Sequence, residues 1–112
     1  MERVRKPAKS GSSKKPLTVS HRARVVGELR ADPKLAIQYL NAAAEEGDPR
    51  IYLTALRTVA EAQGIAKVAR AAGVPRESVY RALSAEGNPR FSTLQAILRA
   101  AGFKITVQRI SG

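Results

Sequence analysis

The chain has 112 residues, and its 20 Lys and Arg against 9 Asp and Glu give a formal net charge of +11. This length suits one domain with a modest core, and the charge favours a polyanionic partner such as DNA, RNA or an acidic membrane surface. The absence of cysteine excludes disulfides and thiolate metal sites, and no apolar run approaches the roughly 20 residues of a membrane span. The polar amino terminus does not look like a signal peptide, so the cytoplasm is the expected compartment.

The first 19 residues, MERVRKPAKSGSSKKPLTV, differ in composition from the rest of the chain. They combine Lys, Arg, Ser, Gly and Pro with almost nothing to bury. Residues 1–31 hold nine Lys/Arg against two Glu, whereas residues 32–112 hold eleven against seven acids. This composition predicts a disordered basic tail over residues 1–19, followed by a single domain over residues 20–112.

Helix signals follow in chain order from Ser20. Ser20 is a candidate cap for a short first helix, which Gly27 weakens. Asp32-Pro33 and Asp48-Pro49 each predict a helix start, because Asp caps a helix and Pro suits its first position. Apolar residues at helical spacing carry these two helices to Gly47 and Gly64. The residues expected to face inward are Val25, Val26, Leu29, Leu35, Ala36, Tyr39, Leu40, Ala43, Ile51, Tyr52, Leu56, Val59 and Ala60.

The most informative segment is IAKVARAAGVPRESVYRALS, residues 65–84. The small side chain of Ala69 lets a second helix cross the first closely, and Gly73 can adopt the positive φ that ends the first helix. This pattern predicts a helix-turn-helix, which most often reads DNA, although a plain helical hairpin has the same pattern. The residues placed to pack the two helices together are Val68, Ala72, Val74, Val79 and Ala82.

After a GNPRFS loop, Ser92 is the predicted cap of a last helix that ends at Gly102, and Phe91 is expected to pack into the core. Leu94, Ile97 and Leu98 form the inward face of this helix. The final residues, 103–110, alternate in a way that predicts a short C-terminal β-strand. A lone strand cannot satisfy its own edges, so we expect it to pair, plausibly with its copy in a second subunit.

Residues 32–107 resemble the λ-repressor-like (Xre-type) helix-turn-helix domain, and within that group the HigA-like antitoxins, the addiction-module antidote proteins. The matching stretches are DPKLAIQYLNAAAEEGD, YLTALRTVAEAQG, VARAAGVPRESVYRALS and EGNPRFSTLQAILRAAGFKITV. The resemblance implies an all-α, five-helix bundle and a dimeric repressor without cofactors, working at the nucleoid. Such a protein binds a palindrome in its own promoter and silences a RelE/HigB-like toxin. Pro75 departs from the Ser or Thr that caps the recognition helix in many relatives.

Helix geometry assigns the DNA contacts within this segment. A recognition helix from Pro75 to about Ser84 turns Val79, Ala82 and Leu83 inward. The side chains left outside as base-reading candidates are Arg76, Glu77, Tyr80 and Arg81. Either arginine can pair with guanine O6 and N7, and Glu77 can accept from cytosine N4 or hold Arg81 one turn away. Tyr80 can touch a thymine methyl group or a phosphate, or be partly buried against the preceding helix.

Phosphate contacts position a protein on DNA without reading its sequence. The candidates here are Lys67, Ser78, Ser84, Asn88, Arg90 and Ser92. The last three resemble the segment that grips the DNA backbone in relatives. Arg90 is the strongest, since it precedes a helix amino terminus that itself favours an anion, although a solvated loop arginine has the same pattern. The basic tail would add charge-driven affinity with little specificity.

We expect no catalysis and no metal site, since His21 has no partner at a useful spacing and the only adjacent acidic pair, Glu45-Glu46, looks like the exposed end of a helix. The resemblance implies a basic toxin, for which Tyr39, Glu45 and Glu46 offer apolar and acidic contacts. Two other functions remain open: a stand-alone Xre-type regulator without a toxin, and a nonspecific nucleic-acid-binding protein driven by the tail. Only 4% of the residues are aromatic, which leaves little for stacking single-stranded bases.

Overall fold

The computed structural model describes residues 19–110, and the side chains of residues 21–110. This part of the chain is helical, as the sequence predicts. Its helices are α1 (Val19–Ala31), α2 (Pro33–Glu45), α3 (Pro49–Gln63), α4 (Ile65–Ala72), α5 (Arg76–Ala82) and α6 (Phe91–Ala100). The predicted basic tail, residues 1–19, lies outside the described residues except for Val19, where α1 begins.

The two Asp-Pro pairs start helices as predicted. The Asp32 carboxylate accepts a hydrogen bond from the Lys34 N–H at 3.0 Å, and the Asp48 carboxylate accepts one from the Arg50 N–H at 2.9 Å. Pro33 and Pro49 occupy the first helical positions, where no intrahelical donor is needed. Each start is therefore fixed by neighbours in sequence.

The core is centred on α3, which packs against α1, α2 and α4. Its residues Leu56, Val59 and Ala60 are at most 1% exposed. Helices α1, α2 and α3 contact one another, as do α4, α5 and α6, and the α3–α4 contact joins these two groups. Apolar side chains buried from the other helices complete the core; they include Leu29, Ala36, Leu40, Val68, Val79, Leu83, Ile97 and Leu98.

The predicted five-helix bundle is wrong in its count, since residues 19–110 form six helices. Helix α1 includes the predicted cap Ser20 and begins at Val19, two residues before the helical start that a cap at Ser20 predicts. It is held on α3 by an ion pair between Arg22 and Glu61 and by a hydrogen bond from Arg30 Nε to the Ala62 carbonyl at 2.9 Å. These contacts, together with buried Leu29, stabilise a helix that Gly27 weakens.

The predicted C-terminal strand is not present in the described residues. Residues 103–110 have no regular secondary structure. The physical reason is that a strand needs a partner for its backbone N–H and C=O groups, and no other segment between residues 19 and 110 is extended beside it.

The start of α6 also differs from the prediction. The helix begins at Phe91, Arg90 takes the cap position without a side-chain cap hydrogen bond, and Ser92 lies inside the first turn. Phe91 is 63% exposed and does not enter the core. Burial increases along α6 from Phe91 through Leu94 to Leu98, so its first turn extends beyond the helices that it packs on.

Between residues 19 and 110, no helix combines the length and the apolar character that crossing a membrane requires.

Candidate nucleic-acid interface

A tight turn of three residues joins α4 to α5. Gly73 has φ 75°, its N–H donates to the Arg70 carbonyl at 3.2 Å, and the Val74 N–H donates to the Ala69 carbonyl at 3.1 Å. These bonds close the end of α4 with a left-handed residue, a conformation that glycine adopts without strain. Pro75 is extended, and α5 begins at the next residue. The chain therefore reverses into a second short helix where the sequence predicts it.

Helix α5 has one fully buried face and one exposed face. Val79 and Leu83, which follows the helix, are 0% exposed and belong to the core. Ala82 is half-buried, so the three residues predicted to face inward do so. The exposed side chains are Arg76, Glu77 and Arg81. This burial fixes the rotation of α5 about its axis, because its inner residues have no room to turn outward.

Tyr80 is half-buried against the core, and its ring also contacts a residue of α3. The guanidinium carbon of Arg57 lies 5.5 Å from the centre of the Tyr80 ring. Arg57 Nε donates to Glu61 Oε2 at 3.4 Å, and Glu61 also pairs with Arg22. A cation over an aromatic face is attracted by the ring quadrupole. Ionic and aromatic contacts thus link α1 to α3 and α3 to α5.

The proposed pair between Glu77 and Arg81 is not formed. Both side chains are exposed, and no ion pair within 4.0 Å joins them in the described part of the chain. Both side chains are therefore accessible to solvent, and their role in contacting DNA bases remains a prediction.

The predicted phosphate-binding residues occupy the exposed or half-exposed surface of α4, α5 and the loop before α6. Lys67, Asn88, Arg90 and Ser92 are exposed, and Ser78 is half-buried. The hydroxyl of half-buried Ser84 donates to the Arg81 carbonyl at 3.1 Å, which leaves its oxygen as an acceptor only. A phosphate needs donors, so Ser84 is the weakest candidate of this set.

Gly87 holds the loop close to the end of α5. A Cβ atom at this position would lie 2.4 Å from the carbonyl oxygen of Ala82 and 2.9 Å from that of Arg81. The Gly87 N–H donates to the Ser84 carbonyl at 2.9 Å. The sequence places Gly87 in the GNPRFS loop but does not by itself indicate this close backbone approach. The sequence signal that accompanies this approach is that Gly87 lies within a loop, whereas the glycines that end helices directly follow a run of helical residues.

Charge is divided unevenly between the two groups of helices. Residues 19–63, which form α1–α3, contain six Lys/Arg and six Asp/Glu. Residues 64–104, which include α4–α6, contain seven Lys/Arg and two Glu, a net +5. The positive surplus of the described part thus lies with α5 and its neighbours, as a polyanion-binding surface requires.

Comparison with known proteins identifies the family. The family model described as "Probable addiction module antidote protein" matches residues 23–109, most of the chain. The chain belongs to this antidote family. An uncharacterized protein of Haemophilus influenzae strain Rd is 38% identical over 71 residues, which cover 63% of this chain and 73% of that protein. No solved structure matches the chain significantly.

An antidote implies a toxin as partner, and the described surface offers an acidic place for one. At the corner between α2 and α3 an open groove is lined by Ala43, Ala44, Gly47, Asp48, Pro49 and Tyr52. Glu45 and Glu46 are exposed beside it. Burial raises the pKa of Tyr52 above its ordinary value.

Tyr39, the third predicted toxin contact, is half-buried against the core of this antidote and offers only part of its ring. Among residues 19–110 no three His, Asp or Glu side chains lie close enough to hold a metal ion.

Proposed function

We propose that this antidote is a sequence-specific DNA-binding repressor of the Xre-type (HigA-like) helix-turn-helix class. It binds a palindromic operator in its own promoter as a homodimer and also neutralises a RelE/HigB-like toxin. It has no catalytic role. Two observations support this double function. The antidote family implies a toxin partner, and the α4–α6 part of the chain carries a net positive charge.

The observation that carries the DNA-binding proposal is the orientation of α5. Its buried residues leave Arg76 and Arg81 exposed on a short helix that follows a three-residue turn. The N-terminal part of such a helix can enter a major groove, where arginine pairs bidentately with guanine. Arg90 and Lys67 are exposed on flanking elements of the same basic group of helices and suit contacts to phosphates.

A titration of the purified full chain tests this proposal directly. The DNA upstream of its own gene is compared with a scrambled duplex of equal length at physiological salt. Tight binding to the upstream DNA with two chains per palindrome, and weak binding to the scramble, is the expected result. Equal affinity for both duplexes would contradict sequence-specific recognition and leave charge as the source of binding.

Replacing Arg76 or Arg81 with alanine is expected to weaken operator binding by about 1–3 kcal/mol, because each loses a bidentate base contact. Relaxed base preference at one position of each half-site should accompany the loss. Electrophoretic mobility shifts on operator variants measure both effects. Lys34→Ala is the matched control, since it removes an equal charge from an exposed side chain on α2. An equal loss in the control would show that total charge, and not α5, determines affinity.

The toxin-binding proposal rests on the acidic corner between α2 and α3. Glu45 and Glu46 are exposed beside an apolar groove, and Asp48 lines it with its carboxylate paired to Arg50 at 3.0 Å. A basic toxin can place a cationic side chain on this rim and an apolar one in the groove, which is the usual division of an interface. The surface lies on α2 and α3, while the proposed DNA contacts lie on α4–α6. One antidote can therefore hold both partners.

The double variant Glu45→Lys, Glu46→Lys is expected to weaken toxin binding at least tenfold, because attraction becomes repulsion at two positions. Calorimetry with the protein encoded next to the antidote gene measures the change. Glu86→Lys is the control, since this exposed acid lies in the loop after α5. Unchanged toxin affinity in the double variant would exclude the α2–α3 corner as the contact surface.

A further inference from the structure

Residues 103–110 leave the helical core at a fixed point. The Phe103 N–H donates to the Leu98 carbonyl at 2.8 Å, the Gly102 N–H donates to the Arg99 carbonyl at 2.9 Å, and the Phe103 side chain packs against the core. This arrangement closes the end of α6 and sets the direction of the following residues. The segment is therefore anchored at its beginning.

Beyond Phe103 the segment carries apolar side chains into solvent. Ile105 is 40% exposed, Val107 is 94% exposed and Ile110 is 95% exposed. No backbone hydrogen bond within residues 19–110 involves residues 104–110. Apolar side chains and unpaired backbone groups together are what a strand presents before its partner is added.

We propose that residues 103–109 pair antiparallel with the same residues of a second copy of this chain, with Thr106 on the two-fold axis. Ile105 then lies opposite Val107 of the partner subunit, and Lys104 lies opposite Gln108 of the partner subunit. Phe103 lies opposite Arg109 of the partner subunit. Ile105 and Val107 meet across the ladder, and no like charges are directly opposite, which favours this register.

The two-fold axis stands perpendicular to the ribbon, so the odd-numbered side chains of both copies share one face. Phe103 begins this face and is packed on the core of its own subunit. The ribbon therefore lies across the two helical bodies, which give it the support that an isolated pair of strands lacks. A register centred on Val107 is less favourable, because it keeps a single Val107–Val107 pair in place of two Ile105–Val107 pairs. A register centred on Ile105 shortens the ladder to residues 103–107, because Gly102 before it has a positive φ of 95° and is not extended.

The inference deepens the proposed homodimer, on which it rests, by naming the residues that form it. Its tests use the full chain without DNA or toxin. A failure of the strand pairing therefore leaves the DNA-binding proposal intact, and a failure of DNA binding leaves the pairing intact.

Single-cysteine variants locate the axis, because the natural chain has no cysteine. Thr106→Cys places two thiols directly opposite, within reach of a disulfide, whereas Val107→Cys places them about 8 Å apart along the diagonal of the ladder. Mild oxidation should give a covalent dimer of the first variant and little of the second on non-reducing gels. Both positions are exposed, so neither change disturbs the core. Cross-linking of Val107→Cys alone would overturn the register.

A charge exchange tests the pairing without oxidation. Thr106→Glu and Thr106→Lys each place like charges opposite one another and should raise the dimer dissociation constant roughly tenfold or more. An equimolar mixture of the two variants should form heterodimers and restore the wild-type dissociation constant in sedimentation experiments. If the wild-type chain sediments as a monomer at tens of micromolar, or if neither variant changes its association, the proposed pairing is wrong.

Discussion

Replacing Leu83 with alanine is expected to lower the free energy of unfolding by about 2–5 kcal/mol. Leu83 is 0% exposed and directly follows α5, where it belongs to the same buried cluster as Val79 and Ile97. Removing its branched end leaves a cavity that these neighbours fill only in part. Because a domain of this size has a total stability of about 5–15 kcal/mol, the loss is a large share of it. Urea unfolding followed by circular dichroism at one protein concentration measures the change.

The matched control for this variant is Leu35→Ala, which truncates a half-buried leucine on α2. Folding removes less of the Leu35 side-chain surface from water than of the Leu83 surface. The loss of unfolding free energy in Leu35→Ala should therefore be about half as large or less. Hydrogen exchange adds a second measurement, since α5 amides should lose more protection than those of α2 in the Leu83 variant. A stability loss no greater than that of the control would contradict the complete burial of Leu83.

Gly87→Ala is expected to cost about 1–3 kcal/mol of stability through overpacking, although the position lies in a loop. The added methyl group would lie 2.4 Å from a backbone oxygen of Ala82, which cannot rotate away as a flexible side chain would. The loop must therefore move, and Asn88 and Arg90 must move with it. Operator affinity should fall together with stability. Thermal unfolding and the operator titration measure the two effects.

Gly27→Ala is the control of opposite sign. Gly27 lies inside α1, and no atom lies within 4 Å of an added Cβ. Alanine should stabilise this helix by about 0.5–1 kcal/mol, because glycine loses more backbone freedom on folding. If Gly87→Ala were as stable as the wild-type chain, the close approach of the loop to the end of α5 would be wrong.

Features decided by neighbours in sequence could be predicted. Asp32 and Asp48 cap the next turn of their own chain, and Gly73 ends α4 by its own backbone conformation. The inward direction of Val79 and Leu83 followed from helical spacing. These signals need no knowledge of distant residues, which is why the helices and the orientation of α5 agree with the structure.

Features decided by distant contacts could not be predicted. The ring of Tyr80 contacts Arg57, a residue 23 positions earlier on α3, and helical spacing within residues 65–84 could not indicate this contact. Phe91 has the right spacing for the core, but it precedes the part of α6 that packs on other helices. The alternation in residues 103–110 predicts a strand that the structure does not show, because a strand depends on a partner that the rest of residues 19–110 does not supply.

The contrast between a neutral α1–α3 group and an α4–α6 group of net charge +5 makes the described part of the chain an electric dipole. Residues 19–110 alone, without the net charge of +5 on residues 1–18, would turn their positive end forward in the field of a polyanion, so that more encounters begin in a productive orientation. The association rate constant should therefore fall with added salt more steeply than the dissociation rate constant rises. For the proposed operator binding, the rate of association, and not only its strength, then depends on where the helices place their charge.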